Sequence, residues 1–178
     1  MITSRAWILC GMLQIISGVA HAQQRTMAIY GDWTLSCVIA SGGAKSCGLV
    51  QSQKLANQSS AISQIGIGHS AKTDLLKVSI EITPNAWMLT GVKLIASDSA
   101  PAITGPLKYT TAVITAPFKW CTSTRCLAEA DLSDANIKTL RTQKEPGTLV
   151  YKTASQADVS IPVSFNGFGE ALDALQKE

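Results

Sequence analysis

Trp33, Leu35, Cys37 and Ile39 alternate with Thr34, Ser36 and Val38, a period of two that turns one side of a strand to a core and the other to solvent. Cys37 lies on the inward side. The Ser-Gly-Gly turn at Gly42 and Gly43 lets the chain reverse, so Tyr30 to Gln51 reads as a hairpin that returns Cys47 to the side of Cys37. Leu76, Val78, Ile80 and Ile82 alternate with Lys77, Ser79, Glu81 and Thr83, the cleanest amphipathic strand in the chain, ended by Pro84-Asn85. Further short strands are predicted at Ala61 to Gly68, where glycines suit a bend, and at Gly91 to Ala96, Lys108 to Ile114, Phe118 to Cys121, Thr148 to Thr153 and Val159 to Phe165. Gln23 to Ala28 is polar and reads as loose chain, Gln53 to Ser60 as a polar connection and Ser97 to Pro106 as a loop. Two segments read as helix. Ser133 is an N-cap ahead of Ile137 and Leu140, with Lys138, Arg141 and Lys144 toward the negative end of the dipole; Phe168, Leu172 and Leu175 recur at helical spacing at the C-terminal end.

Many short strands, frequent turns and little helix make the fold mainly β: a two-sheet β-sandwich with one short internal helix and a short C-terminal helix. A small closed barrel is the alternative. Trp33 four residues before Cys37 brings an immunoglobulin-type core to mind, but nine residues between Cys37 and Cys47 suit one hairpin and not a bridge between two sheets. No repeat, low-complexity tract or linker divides the chain.

The first residues carry one charge, Arg5, followed by an apolar run to Val19 and by Ala20-His21-Ala22, small residues at the two positions a signal peptidase reads. Residues 1–22 are therefore expected to be a cleaved signal peptide and residues 23–178 a single domain. The run is shorter than the roughly 20 apolar residues of a membrane span, and no later stretch is long enough either. Without the leader, 14 Lys and Arg stand against 12 Asp and Glu, a net +2 spread without blocks. A nucleic-acid binder concentrates its cations on one stripe, so that class is set aside. Four cysteines remain, an even number in an exported chain, which favours disulfides over thiols. Three pairings are open; local closure, Cys37 with Cys47 and Cys121 with Cys126, is favoured because each pair spans a short polar turn.

The motifs Tyr30-Gly31-Asp32-Trp33 with Cys37, Cys47 and Gln51, Gly91-Val92 after the Pro84 turn, the pair Cys121 and Cys126, and Val163-Ser164-Phe165-Asn166-Gly167-Phe168 leading into Ala171-Leu172 run in order along the whole mature chain. Together they resemble the invasion-associated locus B family of exported Gram-negative bacterial proteins. The resemblance implies an immunoglobulin-like β-sandwich in the periplasm, at the outer membrane or outside the cell, a role in host-cell entry or in the envelope, and neither catalytic residues nor a cofactor. Arg125 stands where a glycine is usual in that family, and Phe165 where leucine is.

Candidate chemistry is sparse. A thiolate near Arg125 and Lys119 would have a lowered pKa, yet Cys121 and Cys126 have four residues between them where redox catalysts generally have two, so a structural staple is expected over a thiol oxidoreductase. Zinc knuckles need closer pairs than Cys37 and Cys47. His69, with Asp74 the nearest acid, reads as an exposed turn residue and not a general base, and Gly66-Ile67-Gly68 lacks the lysine and helix of a phosphate loop. Neither metal nor cofactor is expected. Trp120 is expected to pack on its neighbouring disulfide; Trp87, in the turn after Pro84, reads as a core residue, as tryptophans of a sandwich usually are, with an exposed contact role as the alternative. Lys108, Lys119 and Arg125 would add a modest basic patch for an unknown envelope or host-surface partner. The function expected is non-enzymatic contact; the alternative is a small-ligand pocket lined by residues such as Ile80 and Phe118.

Overall fold

The computed structural model describes residues 24–40, 42–54, 62–70, 73, 75–96, 112–144 and 146–178. Within them the order is β1 (Gln24–Tyr30), β2 (Trp33–Ile39), β3 (Lys45–Gln53), β4 (Ser63–His69), β5 (Leu76–Ile82), β6 (Val92–Ile95), β7 (Ile114–Ala116), β8 (Phe118–Cys121), β9 (Cys126–Asp131), α1 (Asp134–Thr142), β10 (Gly147–Lys152), β11 (Asp158–Val163) and α2 (Phe168–Leu175). The strands form two antiparallel sheets, one ordered β1-β2-β3-β4-β5-β9-β8 and one β11-β10-β6-β7, and the fold is a β-sandwich with a short internal helix and a C-terminal one.

The alternation in the sequence sets the core. Trp33, Leu35 and Cys37 on β2, Leu49 on β3, Ile65 and Ile67 on β4 and Leu76 to Ile82 on β5 present one buried face of the large sheet to Val92, Leu94, Leu149, Ile161 and Val163 of the small one. The two sheets meet at a corner: β7 belongs to the small sheet and β8 to the large one, and Pro117 between them breaks the ladder so that the chain crosses over. Pro117 O accepts the Glu129 backbone N–H at 3.1 Å, which ties the corner to β9. The opposite side of the small sheet stops short of β1 and β2. There α2 lies over β1, β2 and β3, with Phe168, Ala171, Leu172 and Leu175 buried. Phe168 meets the Trp33 ring edge-on at 5.1 Å between centroids.

Helix α1 has the N-cap read from sequence. The Ser133 side chain accepts from the Asn136 N–H, and the Asn136 side chain reaches back to the Ser133 N–H, closing a capping box. Arg141 of α1 pairs with Asp173 of α2 and so joins the helices.

Two elements depart from the sequence reading. Gln24–Tyr30, read largely as loose chain, is an edge strand in register with β2 over its full length. Cys126–Asp131, given no element, is β9, between β5 and β8. Residues 1–22, the Ser97 to Pro106 loop, Lys108 and Asp74 lie outside the described residues, and no helix among those described is long and apolar enough to cross a membrane.

Candidate functional site

Segments far apart in the chain converge at the open side of the sandwich. Gly31 and Asp32 make the two-residue turn between β1 and β2, and the Asp32 backbone N–H donates to Asn166 O at 3.1 Å. Ser164, just after β11, has its backbone held by three hydrogen bonds to two side chains: the Trp33 Nε1–H and the Gln51 side-chain amide both donate to its carbonyl, at 3.0 and 2.9 Å, and its N–H donates to Gln51 Oε1 at 3.1 Å. Its hydroxyl donates to Asp32 Oδ2 at 2.6 Å and accepts the Asn166 N–H at 3.1 Å. Behind Gln51 the chain of bonds runs inward, Gln53 Nε2–H to Gln51 Oε1 and Ser63 O–H to Gln53 Oε1, at 2.9 and 2.6 Å.

Gln51, Gln53 and Ser63 are buried, and buried polar groups are tolerated only when paired. Here Gln51 does for the end of β11 what a neighbouring strand would do, offering one donor and one acceptor to a backbone edge, and so clips the two sheets together. A shallow open cleft of about 370 Å³ lies over this clip, bordered by Asp32, Gln51, Lys54, Pro146, Pro162 and Ser164. Gln51 and Gln53, polar residues at the inward positions of β3 with Gln53 opposite Ser63 in the β3–β4 register, are the sequence signal for this cluster, and periodicity alone does not connect them to Ser164.

The second feature surrounds the bridge between β8 and β9. Both disulfides are formed, Cys37–Cys47 and Cys121–Cys126, each joining adjacent strands of the large sheet. Cys126 is fully buried and Cys121 exposed. Met88 Sδ lies 3.1 Å from Cys121 Sγ. Trp120 is 39% exposed, with the Arg125 guanidinium 5.9 Å from its ring centre, and Arg125 also pairs with Glu81 at 3.1 Å. Leu89, at the tip of the turn closed by the Thr90 N–H to Trp87 O bond, is 86% exposed.

Trp120 is more open than the sequence reading has it, and Trp87 falls between its two readings. Trp120 faces solvent beside its disulfide, while Trp87 is half-buried, because its backbone N–H bonds Lys152 O at 2.7 Å and Ala86 bridges Thr153, laying the segment against the end of β10. Met88 and Leu89, which the sequence reading passed over, occupy the exposed place; an apolar run inside a turn was the available signal. Lys119 and Arg125 are exposed around the same hairpin, and Lys108 lies outside the described residues. His69, at the end of β4, is exposed. Cys37, Cys47 and Glu178 come close enough to be ligands for a metal ion, but both sulfurs are spent in the disulfide. Ile80 and Phe118, considered above as pocket residues, are both packed into the core.

Fold and sites together define a class: a small two-disulfide β-sandwich, its sheets held by a buried amide clip, with Met88, Leu89 and Trp120 exposed at and beside one stapled hairpin. The invasion associated locus B (IalB) protein model matches residues 33–176, and the chain belongs to that family. No curated protein and no solved structure matches it.

Proposed function

We propose that the chain is an exported protein of the Gram-negative envelope, non-enzymatic, that works by surface contact in host-cell association and invasion or in envelope integrity. Membership of the IalB family supports the class of role, and two disulfides fit an oxidising compartment outside the cytoplasm. The observation that carries the contact reading is the group Met88, Leu89, Trp120 and Arg125 around the Cys121–Cys126 bridge. Trp, Met and Arg are the residues interfaces favour, and the covalently stapled hairpin presents Trp120 and Arg125, with Met88 packed beside it on Cys121, at little ordering cost on binding.

The test is retention of the purified, oxidised protein at micromolar concentration on native envelope fractions and on host cells. Retention of the wild type, with a loss of tenfold or more in Trp120→Ala/Leu89→Ser, is the expected result. No retention, or equal retention of the variant, removes the reading. The cleft beside Gln51 and Ser164 favours a second reading, a module for a small polar ligand; native mass spectrometry of protein taken from its own cells would reveal such a ligand.

A further inference from the structure

The two sheets have four edges, and three of them are blunted. β7 is three residues long and runs into Pro117. β8 carries a bulge between Phe118 and Trp120 and is stapled to β9. β11 has Pro162 on its edge. Short strands, bulges, and proline are the devices by which native sheets keep their edges from pairing with other chains. β1 has none of them: seven residues in unbroken register with β2, and no proline, with Met27 61% and Ile29 75% exposed. Its single cation, Arg25, is turned back across β2 to the Ser36 hydroxyl at 3.0 Å. Among the described residues no strand pairs with its outer side.

The ladder shows which amides that outer side offers. Cys37 and Cys47 stand directly opposite each other with Cα atoms 4.0 Å apart, the close spacing of a non-hydrogen-bonded pair. Backbone bonding alternates along a strand, so Cys37 bonds on its other side, to its partner Thr26 on β1. The amides of Arg25, Met27 and Ile29 therefore point away from β2.

We propose that β1 pairs antiparallel with β1 of a second copy of this chain, about a two-fold axis at Met27. That register places Met27 against Met27, Arg25 against Ile29 and Ile29 against Arg25, and it engages all three outward amides of each copy in about six hydrogen bonds. It is also the register that charge permits: a shift of the axis to Arg25 would set two guanidinium groups face to face, which cross-strand pairing disfavours. Met27 and Ile29 of both copies then shelter one another on the outer face. One strand edge covers less than the roughly 1,200 Å² of a standard interface, so the dimer is concentration-dependent. β1 and the Trp120 hairpin are at opposite edges of the large sheet, so pairing leaves the proposed contact patch free and stands or falls separately from it.

Sedimentation velocity on the oxidised protein, from about 1 µM to about 1 mM, a range that brackets a weak isologous contact, is the experiment. The wild type is expected to move from monomer to dimer across that range. Ile29→Lys sets the new lysine against Arg25 of the second copy and is expected to weaken the dimer at least tenfold. Adding Arg25→Glu makes the same two positions oppositely charged and is expected to restore it. Ile29 is exposed, so these variants keep the fold, which circular dichroism checks. A wild type that stays monomeric throughout, including one that binds only strands of other proteins, overturns the proposal, as does a dimer that Ile29→Lys leaves unchanged or that the second change fails to restore.

Discussion

Two glycines two residues apart show how strictly the site is fitted. Gly167 has φ +78°, and a Cβ there would press into the carbonyl of Tyr30, while Gly31, φ +55°, meets Asn166 O in the same way. The turn before β2 and the turn before α2 thus interlock backbone to backbone, and this contact holds Asp32 and Ser164 in reach of each other. Gly169, in the first turn of α2, has open space around it. Gly167→Ala is expected to cost about 3 kcal/mol, from left-handed strain plus the forced separation of the turns. Gly169→Ala is expected to be neutral or to stabilise by about 0.5 kcal/mol through helix propensity. Urea unfolding of the two variants checks both, and equal effects would mean that the interlock does not bear on stability.

At the scale of the element, each disulfide constrains one hairpin, and the two are separable. The closed loops differ, with sequence separations of 10 for Cys37–Cys47 and 5 for Cys121–Cys126, so chain entropy assigns about 2 to 3 and about 2 kcal/mol. β4 and β5 stand between the bridged pairs, a distance of roughly 14 Å at the usual strand spacing, and effects that far apart add. Replacing both pairs with alanine should therefore cost the sum of the single-pair losses in urea unfolding, a large share of the 5 to 15 kcal/mol that typically holds a domain. A marked departure from additivity would show that the bridges share a cooperative unit beyond the sheet between them. Of the strands in the large sheet, β2 and β5 are the most legible in the sequence, each presenting large apolar residues to one side, and β3 is legible from the Gly42-Gly43 turn that pairs it with β2. β1 inverts the signal, since its larger aliphatics Met27 and Ile29 face out while Ala28 faces in, and it looked like loose chain. β9 hides it, because its inward positions at the corner are Cys126, Ala128 and Ala130, small residues that let β7 approach. The stapled cysteines and Trp33 were readable one at a time, whereas the clip at Ser164 depends on a contact across 113 residues of sequence with Gln51, which no local pattern encodes.

The whole molecule is a mismatch resolved by a helix. A seven-stranded sheet cannot be covered by a four-stranded one: three strands at about 4.8 Å leave roughly 14 Å of apolar face bare, and a helix with its side chains is about 10 to 12 Å across. α2 fills that gap over β1, β2 and β3, and is in turn fastened by Arg141 of α1 to Asp173 and by Lys45 of β3 to Glu178. On this account α2 is the missing part of the second layer, not a lid on a finished sandwich. Leu172, fully buried, should then behave as a core residue of the sheet: Leu172→Ala is expected to cost about 3 to 4 kcal/mol, the range for a truncation that leaves a cavity. Amide exchange in β1 and β2 should accelerate along with that in α2, since the three share one buried face. If instead α2 exchanges faster by itself while β1 and β2 keep their protection, the helix is an independent appendage, and the large sheet must find cover for its free end in some other way.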